Sequence, residues 1–401
     1  MPVLLTHVVL KNYKSIAECK VELGELAVIV GQNGSGKSNF IDSLRLVSDG
    51  LGTTLEYAIR QRGGIGEVRR RSSGHPNHFA ISLGVQLGTG HDAHFAFEVG
   101  ARPEGAFQVQ REQSRISRDG MDTSFYKIEN SRLVTASQDL AVSPRVASDR
   151  LFLTSVSGTE AFRPLFDALS TLGFYNIDPG AIREPQPHDR GEKLDRSGWN
   201  LAAVVKRLKD ENPSALDRIQ QYLRQIVPGI EAVYYEGLGP RQTLAFRQRV
   251  KNQKYPWRFY ASAMSDGTLR SLGVLTALYQ SVGRKGGPTP LIAIEEPEAT
   301  VHPGAAAIIM DALLEASRTE QVIMTTHSPD LLDHEDLDSA SILAVRNIDG
   351  ETILAPIDQA SVTSIQDDLF TPGELLRSGQ LEPDDGKATG SLRQSDLFER
   401  L

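Results

Sequence analysis

The sequence predicts an α/β protein organised on a buried sheet, and three observations carry that prediction. Leu26-Ala27-Val28-Ile29-Val30, Leu291-Ile292-Ala293-Ile294 and Val322-Ile323-Met324 are apolar runs of strand length, as expected for strands covered on both faces. Each ends abruptly in glycine, acid or Thr-His residues. Segments with helical spacing then follow, so strand and helix alternate at both ends of the chain. At roughly 150 residues per domain, 401 residues suggest two or three domains. With 40% apolar and 23% charged residues, composition excludes a disordered chain, a collagen-like chain and a long coiled coil.

Taken in order, His7–Leu10 and Cys19–Leu23 read as strands around the turn Asn12-Tyr13-Lys14-Ser15. Leu26–Val30 is the buried strand, Gly31–Lys37 a loop, and Phe40, Ile41 and Leu44 the apolar face of a helix stopped near Gly50. Residues 51–160 are less regular. Gly63–Gly66 reads as a flexible break before the basic run Arg69-Arg70-Arg71, and segments at Phe79–Leu83 and Phe95–Val99 alternate as half-buried antiparallel strands do. Residues 160–230 turn helical, cut by Pro213 and Pro228. Ala232–Tyr235 and Thr243–Phe246 resemble a hairpin, and strands and helices alternate again from Gly267. A last hairpin turns at Asp349-Gly350 before a polar tail expected to be partly mobile. The expected boundaries are 1–160, 161–260, 261–370 and 371–401.

Gly31-Gln32-Asn33-Gly34-Ser35-Gly36-Lys37-Ser38 fits G-x-x-x-x-G-K-[ST] between a strand and a helix, the context that motif requires. Its glycines let successive backbone N–H groups turn toward one anion, and a helix N-terminus adds positive potential. Lys37 supplies a mobile charge for β- and γ-phosphates, Ser38 a Mg²⁺ ligand, and the predicted nucleotide contacts extend to Asn39.

At the second buried strand end, Glu295 and Glu296 should point to opposite faces. That assigns Glu295 to Mg²⁺ through its water shell and Glu296 to the attacking water as general base. The third strand end carries His327, where an imidazole can bond phosphate or water, before the helix-opening Ser328-Pro329. Ser265-Asp266-Gly267 opens a further helix, with Ser265 or Asp266 as N-cap. That helix N-terminus would also suit a γ-phosphate held by a second copy of the chain.

Together these motifs resemble the ABC-type ATPase heads of the SMC/RecF/OLD group, especially compact bacterial AAA-type relatives. The resemblance rests on Asn12–Ile16, Gly31–Ser38, Ser265–Arg270 as the signature, Glu295-Glu296-Pro297-Glu298 with His302-Pro303, and Thr326–Pro329. It implies a P-loop NTPase head with a mixed sheet, a flanking antiparallel β-region and an inserted helical lobe. It further implies ATP and Mg²⁺ as ligands, catalytic roles for Lys37, Glu296 and His327, metal contacts from Ser38 and Glu295, and ATP-dependent pairing through Ser265, Asp266 and Gly267. Glu295 stands where most ABC heads carry Asp, and the signature lacks the Gly-Gly-Gln of transporters. The Q-loop glutamine is open between Gln61 and Gln86. Asp336-Leu337-Asp338 is the nearest match to a Toprim acid motif, but too little chain follows for that nuclease domain.

The net charge of −8 argues against general nucleic-acid coating. A local DNA surface is nevertheless expected at Arg69–Arg71 and at Arg241, Arg247, Arg249, Lys251 and Lys254, interleaved with Phe246, Tyr255 and Trp257. Two functions compete. One is an ATPase acting on DNA in repair or phage defence; the other is an ATP-gated subunit that docks a separately encoded effector protein, with the tail Asp396–Leu401 as a docking helix. A small-molecule kinase would share the phosphate loop but have no use for the signature turn or His327. The single Cys19 forms no intrachain disulfide. With no membrane-length apolar run and no signal-like start, the expectation is a soluble cytoplasmic protein.

Overall fold

The computed structural model describes residues 3–72, 76–88, 90–118, 120–140, 145–281, 289–384, 386 and 397–398. It divides into two compact units. The first comprises Met1–Leu172, Asp338–Phe370 and Ser378–Leu401; the second comprises Gly173–Leu337 and Thr371–Arg377. Among the described residues no helix is long and apolar enough to cross a membrane.

The first unit holds a seven-stranded antiparallel sheet in the order Ile16–Glu22, Leu4–Tyr13, His78–Gln86, Asp92–Ala101, Phe107–Arg118, Met121–Glu129, Arg132–Ala136. One face of its centre is aromatic. Tyr13, Phe79, Phe95 and Phe97 are fully buried, with Tyr13 edge-on to Phe79 at 5.8 Å and Phe79 edge-on to Phe97 at 6.4 Å. Beside this sheet, Leu26–Val30 runs parallel to Ile342–Ile348, with Val28 opposite Ile342. Ile342–Ile348 pairs antiparallel with Glu351–Pro356 through a turn in which Asp349 (φ 51°) and Gly350 (φ 85°) are both left-handed. The expected break at Gly63–Gly66 is instead a turn with φ of 87° and 94° at Gly63 and Gly64, entering a short helix, Ile65–Val68. Cys19 is buried, which pushes its thiol up to about 12.

A buried carboxyl ties this sheet to the segment that follows it. Glu112 accepts from the Tyr126 hydroxyl (2.7 Å) and from the backbone N–H groups of Phe152 (2.6 Å) and Leu153 (2.8 Å), at the start of the helix Phe152–Val156. The Tyr126 ring packs on Phe152 and Phe162 at 5.1 and 5.3 Å. Burial pushes the Glu112 carboxyl up to about 7, against the three donors that favour the anion.

In the second unit, Gly173–Tyr175, Leu291–Glu295 and Gln321–Thr326 are parallel neighbours, with Ala293 opposite both Phe174 and Ile323. Leu291–Ile294 and Gln321–Thr326 are buried throughout, which explains the apolar runs Leu291–Ile294 and Val322–Met324. The helix Asp266–Tyr279 is buried along most of its length. Glu315, in the helix Ala306–Ser317, accepts from Arg218 Nε (2.9 Å) and Tyr222 (2.7 Å) of the helix Pro213–Ile226. Strands Gln186–Pro187, Ile230–Leu238, Arg241–Gln248 and Trp257–Tyr260 form a four-stranded antiparallel sheet, so the expected hairpin gains two further strands.

Replacing Glu112 by Ala strands a buried hydroxyl and two buried N–H groups, and should lower unfolding free energy by roughly 3 kcal/mol or more in urea titrations. Because the folded-state pKa is raised from 4.5 to about 7, the carboxyl's stabilising contribution is fully present below pH 4.5. It is lost as pH rises through about 7, so the stability difference between wild type and Glu112→Ala should shrink over that window.

Candidate functional site

In the first unit, the loop after Leu26–Val30 is shaped by contacts that only glycine permits. A Cβ on Gly31 would lie 2.2 Å from the Val345 carbonyl, and one on Gly36 (φ 110°) would lie 2.0 Å from Thr352 Oγ1. Gly34 has φ 77°. Thr352 also straps the loop, since its hydroxyl donates to Ser35 O (2.9 Å) and lies 2.7 Å from Ser15 Oγ, which accepts from Asn39 Nδ2 at 2.6 Å. Asn39 thus braces the loop from behind. Lys37 is buried, its ammonium donating to the carbonyls of Gly31 (2.7 Å) and Gln32 (3.0 Å) inside the loop. Gln32, Asn33 and Gly34 are exposed at the loop's rim, and Ser38 opens the first turn of the helix.

That helix, Lys37–Gly52, begins at Gly36 with no side-chain cap and no acid in its first turn. Its positive end is therefore left for an external anion. The Ser35 hydroxyl is buried without a partner among the described residues, a polar atom that a phosphate oxygen would satisfy. The donor set fits a polyphosphate. The helix is anchored by Asp42, which accepts from Tyr13 (2.9 Å), Arg62 Nε (3.0 and 3.1 Å) and Lys14 (2.6 Å). Burial alone would raise the Asp42 carboxyl, but Arg62 and Lys14 hold it down at about 2.

In the second unit, Glu295 is the last residue of its strand and Glu296 lies beyond it in a left-handed conformation, φ 47°. Strand alternation therefore does not set the direction of Glu296. The Glu296 N–H donates to Thr325 O (2.9 Å), and its carbonyl accepts from Arg270 Nη2 (2.9 Å) and Nε (3.2 Å). Arg270 further donates to Ile177 O (2.6 Å) and Glu295 O (3.1 Å), so one buried guanidinium grips three backbone carbonyls. The Glu296 carboxylate lies 3.3 Å from His327 Nδ1, while Glu295 accepts from Arg196 at 2.8 Å. The expected acid and imidazole are thus brought together, and the two glutamates have different partners.

Sequence reasoning missed Arg196, and it named Arg270 and Glu298 only as members of the signature and acidic motifs, with no role of their own. Glu298 is buried, accepts from Thr326 at 2.5 Å, and has its second oxygen unpartnered among the described residues. Burial raises its carboxyl pKa against the Thr326 hydroxyl. Thr326 in turn accepts from Ser328 N at 2.9 Å, so this acid steadies the turn carrying His327. The visible signal for Arg270 was a lone arginine on a helix otherwise rich in apolar residues.

Ser265 caps that helix, accepting from Thr268 N at 3.3 Å. Asp266 is exposed and pairs with Arg183, and a Cβ on Gly267 would lie 2.6 Å from Thr300 O. Gln61 follows the helix Leu55–Arg60 and Gln86 ends the strand His78–Gln86. The basic expectations fare unevenly. Arg70 is committed to Ser15 O (2.9 Å) and Glu351 (2.8 Å), Arg69 to Pro76 O (2.9 Å), and Phe246 is fully buried, so none of the three offers a ready surface. Tyr255 and Trp257 are exposed, and Arg247 lies over the Tyr234 ring at 5.8 Å. Arg241 is held by Pro185 O (2.8 Å) and Arg249 by Glu231 (2.6 Å). Of the Asp396–Leu401 docking helix, only Leu397 and Phe398 lie within the described residues.

Residues 26–333 match the family described as "AAA domain, putative AbiEii toxin, Type IV TA system". A stretch of 49 residues is 49% identical to the chromosome partition protein Smc of Desulfitobacterium hafniense (strain Y51), covering 12% of this chain and 4% of that protein. The fold is similar to a solved SmcHead bound to the C-winged helix domain of ScpA, with TM-score 0.58, 15% identity and coverage of 89% of this chain and 99% of that one. It is also similar to the Smc head domain with an extended coiled coil bound to the C-terminal domain of ScpA derived from Pyrococcus furiosus. There the TM-score is 0.56 and identity 16%, over 92% of this chain and 99% of that one. The mixed α/β architecture is accordingly that of a P-loop NTPase head of SMC type.

An Arg270→Lys substitution keeps the charge but cannot reach three carbonyls. It should cost roughly 2 kcal/mol in urea unfolding and speed amide exchange at Glu296.

Proposed function

The chain belongs to this AAA-domain family, and we propose that it is a Mg²⁺-dependent ATPase whose ATP-bound copies pair and whose turnover drives work on DNA, in repair or phage defence. The observation that carries the reading is the uncapped helix start behind Gly36, with the buried Lys37 ammonium held by the loop carbonyls of Gly31 and Gln32. In this reading the loop N–H groups from Gly31 to Ser38 bind the phosphates of ATP. Lys37 exchanges its two carbonyl partners for β- and γ-phosphate oxygens. Bound Mg²⁺ would draw charge from those phosphates, and an all-oxygen set of Ser38 and Glu295 suits a hard divalent cation. Glu296 takes the proton of the attacking water, and His327 steadies Glu296 and the water. Ser265, Asp266 and Gly267 of a second copy complete the γ-phosphate contacts, so that nucleotide joins two chains.

Support for DNA work is the four-stranded sheet of the second unit. Arg247 and Arg258 stand directly opposite each other on neighbouring strands and place two guanidinium groups side by side, with Glu236 pairing Arg258 at 3.3 Å. Tyr234 and Tyr260 flank Ala245 in the next row, each with a guanidinium over its ring, at 5.8 and 5.2 Å. Such aromatic and basic faces suit single strands.

A second reading, an ATP-gated subunit that docks an effector protein, is favoured by the ScpA domains bound to the similar Smc heads.

Lys37→Ala should weaken binding of a fluorescent ATP analogue at least tenfold. Glu296→Gln should bind ATP normally, lower kcat by ~10²–10⁴, and run as a dimer in size exclusion only with Mg–ATP; adding Ser265→Arg should return it to monomer. For DNA, affinity should fall linearly in log–log plots against salt, and Arg247→Ala with Arg258→Ala should reduce that slope by about 2. If DNA neither binds nor stimulates turnover while Glu296→Gln protein recovers a partner only with ATP, the effector reading replaces the DNA one.

A further inference from the structure

The face of the seven-stranded sheet opposite its aromatic core has an unusual composition. Strand register places Lys11, Ala80, Glu98 and Arg111 side by side in one row, and Val9, Ser82, Ala96 and Gln113 in the next. The first row is a ladder of alternating charge interrupted at Ala80; the second is interrupted by small residues at Ser82 and Ala96. Two alanines and a serine in the middle of a charged face leave a shallow apolar dimple, which water would cover poorly.

The dimple is filled by the chain's own C-terminal segment. Leu397 and Phe398 cluster with Val9, Ala80 and Ala96, and all five are at least nine-tenths buried. The Arg111 guanidinium lies over the Phe398 ring at 4.8 Å, closing the dimple from its charged rim. Two consecutive large apolar side chains of the tail are thus seated on an apolar interruption of this face.

We propose that this sheet face is a peptide-binding site whose ligand is the Leu397-Phe398 segment of the chain itself, seated reversibly as a latch. Among the described residues the fit is Leu397 and Phe398 seated on Val9, Ala80 and Ala96, with the Arg111 guanidinium above. An apolar seat of this kind can be vacated by local opening, and an emptied dimple accepts the same segment from a second copy.

The test uses the full chain and a fluorescein-labelled peptide of residues 391–401. Wild-type protein, whose dimple is occupied, should bind the peptide at least tenfold more weakly than the Leu397→Ser, Phe398→Ser double variant. Adding Arg111→Ala to that variant should again weaken binding several-fold. Equal binding to wild type and the double variant, or binding to neither, overturns the proposal. Should the double variant fail to fold, carboxypeptidase digestion of wild type and Arg111→Ala gives a second readout. Release of Phe398 should lag after Glu399 is removed in wild type and be at least tenfold faster in Arg111→Ala; identical release in the two overturns the proposal.

Discussion

A single left-handed residue governs the chemistry assigned to the second unit. Glu296 sits at φ 47°, where a side chain with a Cβ is disfavoured by about 1–2 kcal/mol. The conformation persists because both of its peptide groups are held, the N–H by Thr325 and the carbonyl by Arg270. The consequence is directional. The backbone reversal turns the Glu296 carboxylate toward His327, while Glu295, still within the strand, meets Arg196. Strain of this kind at a strand end is stored where surrounding bonds over-determine it. Here the surrounding bonds come from the signature helix, through Arg270. The helix Asp266–Tyr279, proposed to meet a neighbouring copy's nucleotide, therefore also holds the backbone of Glu296 in its own chain.

The phosphate loop rests on a comparable economy. Thr352, reached only after some 300 residues of intervening chain, bonds Ser35 and Ser15 and fits beneath Gly36 with no room for a Cβ. The glycines thus do two things at once: they allow the loop's turn and they admit the strap. Tyr13, Lys14, Arg62 and Asp42 then fix the helix behind it.

The parts legible in the sequence are those set by local physics. Doubly buried strands announce themselves as apolar runs, and the loop as glycines between such a strand and a helix. The strands Phe107–Arg118 and Met121–Glu129 were not legible, because their outer face carries a charge ladder and their inner face includes Glu112, so no clean alternation survives. Glu296 and His327 were legible as candidates, but the alternation rule fails one residue past the strand end. Arg70 read as part of a basic surface, yet its partner Glu351 lies 281 positions away, a pairing that only the folded chain creates. Phe246 read as a surface aromatic and is core, since the strand pattern places it on the inner face with Leu244.

The measurement that bears most directly on the central claim is a crystal structure of the chain with Mg²⁺ and a non-hydrolysable ATP analogue. The account predicts the triphosphate on the loop N–H groups of Gly31–Ser38, the Lys37 ammonium shifted from the Gly31 and Gln32 carbonyls onto phosphate oxygens, and the Glu296 carboxylate within about 3 Å of a water in line with the γ-phosphate. A nucleotide seated elsewhere, or one bound in that loop with Glu296 turned away and Arg270 released from its carbonyls, would contradict it.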